Sequence, residues 1–343
     1  MKTFFLFSII SIALILNVEA TVWRVNSTAG TDADFASVQT AHNNANPGDT
    51  LYLEPSAANY GDFTLSKKLI IIGNGYFIDE NPETQADINY SQLNAVSFNP
   101  GSEESVIQGC KIFYVRLKTS EIIIQRNYIA YNSDQYATIL FDSDNIANII
   151  IRDNYLYNSF STTGYPYPTS EVIKSEKNGV SNIIISNNLI DANDLYTYHH
   201  ALDLTSGFGG SIKNNVIYGN STLNNSMVNN NIYRDGSLEL INCSYINNIS
   251  NSDQFGFANN NQGNVTMESV FVGTGSTDGQ WQLKEASPAV GGGVGGIDCG
   301  MFGGDFPYVL SGIPAIPAIY KLNHNIDYQN QQIELDISVK SHN

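Results

Sequence analysis

The sequence predicts an all-β protein built as one elongated right-handed parallel β-helix, a solenoid with a short N-terminal capping helix. Two observations carry the prediction. Triple isoleucines recur at Ile122-Ile123-Ile124, Ile149-Ile150-Ile151 and Ile183-Ile184-Ile185, and each run leads into a polar residue, an Asn and an apolar or aromatic residue. The anchors of this repeat are Asn127, Asn154, Asn188, Asn215, Asn231, Asn248 and Asn264, at spacings of 27, 34, 27, 16, 17 and 16 residues. Strand-based solenoid repeats run to ~20–30 residues, so the 16-residue intervals are tight for a three-strand turn and some late anchors are not expected to mark whole turns.

Continuous β-branched runs suit parallel strands packed along a stack, whereas sandwich strands alternate polar and apolar residues. Those runs, with Asn and Gly every few residues, disfavour helices. A recurring Asn at one turn can donate to and accept from the Asn of the next turn, as in cross-β ladders. One buried amide alone would cost ~1–3 kcal/mol if unpaired, a penalty that a column avoids. The longer spacings predict loops near residues 132–144, 159–178 and 193–210.

The ends differ from the repeat. Residues 35–45 place Phe35, Val38, Ala41 and Ala45 on one helical face, with Asp34 as N-cap and Pro47-Gly48 as the stop. Residues 49–53 and 68–72 read as the first strands. Residues 305–343 are expected to form a C-terminal cap with a last strand over 332–340, which leaves 21–304 to the β-helix and its N-terminal cap.

Residues 1–20 read as a secretory signal: Lys2, an apolar run from Phe4 to Leu16, and small residues at Val18 and Ala20. The protein is therefore expected outside the cytoplasm, in the medium, at the cell surface or in a periplasm. No later segment has transmembrane length. Cys110, Cys243 and Cys299 lack a zinc spacing and fit either one disulfide with a free thiol or three buried thiols. The net charge is −17, which repels nucleic acid. An anionic glycan would need a local basic patch or a bridging divalent cation. The 20 Tyr and 16 Phe exclude a disordered acidic chain. A monomer is favoured.

Three stretches carry a resemblance. The first is residues 35–75, with Gly48-Asp49-Thr50, Tyr60-Gly61 and Leu69-Ile70-Ile71-Ile72-Gly73. The second is the Asn-anchored repeat. The third runs from Asn264-Val265 through Trp281-Gln282-Leu283 and Ser287-Pro288-Ala289-Val290 to Asp298-Cys299-Gly300-Met301-Phe302-Gly303-Gly304. Together they cover most of the mature chain and look like the pectin-lyase-like superfamily of secreted bacterial β-helices, especially those of Bacteroidetes type. The resemblance implies the fold, and a partner of polysaccharide type. It assigns no activity, because the superfamily holds lyases, hydrolases and adhesins. The Asn-x-Asp, Asp-Asp and Gly-His-Gly set of its polygalacturonase-like members is absent, as is the Arg-x-x-Pro-x-x-Arg pattern of its pectate-lyase-like members.

A lyase of acidic glycans must neutralise a uronate carboxylate and abstract the adjacent proton, tasks for Arg or Lys and for a nearby base. Arg152, Asp153 and Lys213 stand beside the anchors and are the catalytic candidates, with Arg126 as a substrate ligand. A solvated ion-pair ladder is the competing explanation. Further substrate ligands are expected from the aromatic and histidine-bearing loops: Tyr155, Tyr157, Tyr165, Tyr167, Tyr196, Tyr198, His199 and His200. Asp191, Asp194 and Asp203 form the metal candidate. No cofactor follows with certainty, and Ca2+ is the ion such a set would take. A hydrolase would need two facing carboxylates ~5–10 Å apart. A non-catalytic adhesin or surface structural protein is the alternative in a different class.

Overall fold

The computed structural model describes residues 20–131, 137–158, 170–193, 199–205 and 207–341. Within them the chain is mostly β, in two long parallel sheets of ten and fourteen strands and one two-stranded hairpin. The ten-stranded sheet stacks one strand from each repeat, including Ile123–Gln125, Ile150–Arg152, Val180–Ser186 and Phe208–Lys213. The other sheet forks at Lys111–Leu117, whose first residues pair with Tyr128–Tyr131 and whose last pair with Ile139–Phe141. One arm continues through Tyr155–Asn158, Leu189–Asp191 and Val216–Tyr218. The other continues through Ser170–Ser175, His199–Leu204 and Asn220–Asn224. The chain thus visits three strand stacks in turn, and Ile151, Leu156 and Ile173 contribute one residue from each to a common apolar core.

Of the late anchors, Asn215, Asn231 and Asn248 bound whole turns, and Asn264 does not, because the last parallel strand is Ile249–Ser250. Between Asn215 and Asn231 the chain fits Val216–Tyr218, Asn220–Asn224 and Ser226–Asn229. Corners of one or two residues make three strands possible in 16 positions. The expected loops are correspondingly shorter, because Ile139–Phe141, Ser170–Ser175 and His199–Leu204 belong to the third stack. Sequence reasoning passed over them because their alternation is short and interrupted by polar residues.

The capping helix is Val38–Asn44, shorter than the pattern suggested. Its N-cap is Ser37, whose hydroxyl accepts from the Thr40 amide. Phe35 instead bridges to Val25, and the Asp34 carboxylate takes the Arg24 amide. A first strand, Val22–Val25, precedes the helix.

The anchor column is a continuous amide ladder. Asn127, Asn154, Asn188, Asn215, Asn231 and Asn248 are fully buried. The Nδ2 of each donates to the Oδ1 of the next at 3.0–3.2 Å. The last acceptor is Asn261, not Asn264: Asn248 Nδ2 donates to Asn261 Oδ1 at 3.1 Å, and Asn264 is exposed. At the other end the Cys110 amide donates to Asn127 Oδ1. All three cysteines are free thiols, with Cys110 and Cys299 buried.

Residues 266–316 do not close the far end of the stack. They run back along its side as a strap over the outward face of the second stack. Leu189, Val216, Ile232 and Ile249 form a second apolar cluster there with Phe271, Trp281, Ala289, Met301 and Tyr308. Residues just before ladder positions hold the strap: Asn247 donates to Gly292 O, Asn214 to Asp298 O, and Asn187 to both Met301 O and Gly303 O. That column has φ between 53° and 58° from Arg126 to Asn260, a left-handed conformation that Asn tolerates best among residues with a side chain. The strap is tight against the wall at Gly312, where a Cβ would lie 2.7 Å from the Arg126 carbonyl oxygen.

Candidate functional site

Two non-Asn residues interrupt the left-handed column, Arg126 and Asp153. Both face a cleft of about 360 Å³ between the first strand stack and the strap, lined also by Gln108, Gln125, Arg152 and Phe306. Backbone strain of this kind persists only where surrounding structure enforces it.

Register builds the polar wall of the cleft. Gln108, Gln125 and Arg152 occupy one outward row of adjacent parallel strands. Gln125 Nε2 donates to Gln108 Oε1 at 3.0 Å, and Gln125 Oε1 accepts from Arg152 Nε at 2.9 Å and Nη2 at 2.7 Å. The Arg152 guanidinium also lies 4.4 Å from the centre of the Phe306 ring, a cation–π arrangement that fixes its plane. Arg126 Nη1 donates to the Ile313 carbonyl of the strap at 3.1 Å. Both guanidiniums are therefore positioned before any ligand arrives.

Asp153 is 4% exposed, and its Oδ1 has no hydrogen-bond partner among the described residues. Burial pushes its carboxyl up to about 7, against the opposing pull of Arg152 and Arg126. Burial also lowers the pKa of Arg126, with Asp153 opposing that shift. The result is a carboxyl that changes charge near neutrality between two cations. Asp305 sits on the strap side of the same cleft.

Arg126, Arg152 and Asp153 are thus brought together. Lys213 shares the outward row of Arg152, but Ser186 stands between them and Lys213 does not line the cleft. At ~4.8 Å per strand this puts the two about 10 Å apart along the stack.

The remaining candidates lie elsewhere. Tyr155 is a strand residue buried beneath the strap, 5.2 Å from the Phe77 ring centre. Tyr157 donates from its hydroxyl to Asn193 Oδ1 at 2.8 Å. His199 is buried and His200 half-buried on the third stack. Asp203 belongs to an ion-pair group there, with Lys174 at 3.9 Å, and Lys174 lies 2.9 Å from Glu171. Asp191 is on the second stack, where its Oδ1 accepts from the Asn193 amide; burial raises its carboxyl to about 6. Asp191 and Asp203 therefore sit on separate stacks. Among the described residues no three His, Cys, Asp or Glu side chains are grouped to hold a metal ion. Tyr165, Tyr167, Tyr196, Tyr198 and Asp194 lie outside the described residues.

Sequence reasoning missed Gln108, Gln125 and Phe306. For Gln125 the signal was available, because it stands two residues before a ladder position, as Arg152 does; Gln108 stands two before Cys110, where the repeat has no Asn. Phe306 had no such signal, because nothing local to residues 305–316 announces that they return to the middle of the stack.

No helix among the described residues is long and apolar enough to cross a membrane. No protein-family model matches the chain, and no curated protein matches it.

Proposed function

We propose that this chain is a secreted right-handed parallel β-helix that acts on acidic polysaccharide in the Arg126–Arg152–Asp153 cleft, by β-elimination at a uronate. The observation that carries the reading is the pairing of two fixed guanidiniums with a buried carboxyl titrating near 7. The fold reading is supported by parallel pairing through three successive stacks and by the amide ladder. The extracellular reading rests on the charged, apolar and small-residue pattern of residues 2–20.

In this mechanism Arg126 and Arg152 neutralise the uronate carboxylate, which acidifies the adjacent C5–H. Ionised Asp153 accepts that proton. The C5–H electron pair forms the C4=C5 double bond, the C4–O bond breaks, and the departing sugar oxygen takes a proton from water or from protonated Asp153. The guanidiniums counter a chain-wide charge of −17 at the one place where an anion must approach.

The test is incubation of the purified protein with pectate, alginate and glycosaminoglycans, with calcium and with chelator, while following unsaturated-uronate absorbance. An absorbance rise establishes elimination, and retention on a glycan column without any rise establishes an adhesin. In the doubly substituted Arg126→Ala/Arg152→Ala protein, turnover should drop by at least ~100-fold, the scale of losing a preorganised charge contact in catalysis, with circular dichroism unchanged. Equal turnover in the variant would remove the cleft from the reaction.

A further inference from the structure

The C-terminal hairpin pairs Pro317–Asp327 with Gln332–Ser341. Its base is tied to the body by the Ala86 amide, which donates to Ile319 O at 2.7 Å, and by Lys340 Nζ, 3.1 Å from Glu83. Beyond that base the two faces diverge completely. The pairs Ile319–Val339, Leu322–Ile337, His324–Leu335 and Ile326–Ile333 share one face, while Asn323–Asp336, Asn325–Glu334 and Asp327–Gln332 share the other.

The apolar face is uncovered. Ile319, Leu322, Ile326, Ile333, Leu335, Ile337 and Val339 are 42–66% exposed. An isolated two-stranded hairpin is marginal in water, and stability requires that a hydrophobic face pack on something. Contiguous patches beyond a few hundred Å² on a soluble chain mark interaction surfaces.

We propose that this face packs against the same face of a second copy of this chain. Seven half-exposed side chains offer on the order of 700 Å², so two copies would bury about 1,400 Å², within the ~1,200–2,000 Å² of a specific interface. A flat face repeated on both partners suits an isologous two-fold contact, two sheets about 10 Å apart. Charge weighs against an anionic membrane as the occupant. The chain carries −17 and would be repelled by anionic headgroups, and the docking faces themselves carry no acidic side chain. The proposal departs from the monomer expected from sequence, where only the strand over 332–340 was legible and not the partner that turns it into a sheet. The inference is independent of the glycan reading.

The experiment is sedimentation velocity on the full chain from roughly 1 to 100 µM. Wild type should sediment as a dimer that dissociates in the micromolar range, and the dimer should tighten as salt screens the repulsion between two acidic bodies. Leu322→Glu/Ile337→Glu should weaken it at least ~100-fold with an unchanged melting curve. Ile333→Thr/Leu335→Thr, which keeps strand propensity, should weaken it less. Asn325→Lys on the opposite face should leave it intact. A wild-type monomer at every concentration overturns the proposal, as does a dimer indifferent to the glutamate pair. So does a monomer that binds phosphatidylcholine vesicles through the hairpin.

Discussion

Replacing Asn188 by leucine is expected to destabilise the fold by about 4 kcal/mol, among the largest effects a single substitution gives. The melting temperature should fall by roughly 8 °C at the ~2 °C per kcal/mol of a chain this long. Leucine keeps the heavy-atom count of asparagine and is the larger side chain, so no cavity forms and the lost polar contacts dominate. Asn188 Nδ2 donates to Ile151 O, Ser186 O and Asn215 Oδ1 at 2.9–3.0 Å. Its Oδ1 accepts from the amide and the side chain of Asn154, both at 3.0 Å. Leucine would remove all five of these bonds: the buried Asn154 amide loses its acceptor at ~1–3 kcal/mol, and the other partners, among them the Ser186 carbonyl that keeps the Asp153 amide at 3.2 Å, lose one bond each at ~0.5–1.5 kcal/mol, partly relieved by relaxation. The column transmits the defect, since Asn154 would lose an acceptor on one side and Asn215 a donor on the other. Asn264→Gly supplies the contrast: the residue is exposed and outside the ladder, and glycine retains its left-handed φ of 59°. Its melting temperature should match wild type. Equal behaviour of the two variants in thermal melts monitored by circular dichroism would show that the ladder contributes nothing beyond ordinary turns.

What could be read from the sequence followed from what is periodic. Isoleucine runs and anchor asparagines report a strand and a turn that repeat, so the parallel stack and six of seven ladder positions were legible. Asn264 misled because Asn261 and Asn264 both sit in an Asn-rich turn, and only the hydrogen-bond geometry separates Asn248's acceptor from its neighbour. The third stack was illegible because strands such as Ile139–Phe141 need only three residues when both neighbours are already aligned. The strap was illegible for a different reason. Its path is set by long-range contacts, such as the Tyr76 and Tyr308 hydroxyls at 2.7 Å and the Ser311 amide on the buried Asp278 carboxylate, which leave no local pattern. The candidate site divides the same way. Arg126, Arg152 and Asp153 were found from their offset to the anchors, whereas the opposite wall, with Phe306 and the Ile313 carbonyl, exists only once the strap has returned.

Asp153→Asn is expected to make the protein more stable above neutral pH while removing its turnover. The wild-type carboxyl is pushed up to about 7 by burial, against ~3.9 in an unfolded chain. Between those values the folded state binds the extra proton, so the stability this group contributes is complete below about pH 4 and is lost as pH rises through about 7. Three pH units correspond to about 4 kcal/mol as an upper bound. Asparagine carries no charge to bury. It also suits the left-handed position, where Asn187, Asn214, Asn230 and Asn247 already stand. At pH 8 the variant should therefore melt several degrees above wild type, and the two should converge near pH 4. That sequence retains the costlier residue at the one position facing two guanidiniums, which is the pattern of stability given up for chemistry. Turnover should then rise through about pH 7 in wild type, as the base ionises, and be absent in the variant. Glycan retention should survive or strengthen in the variant, because a carboxylate no longer opposes the uronate. If the wild-type melting temperature is level from pH 5 to pH 8 and asparagine does not raise it, Asp153 is solvated rather than buried, and it cannot serve as a base tuned by desolvation.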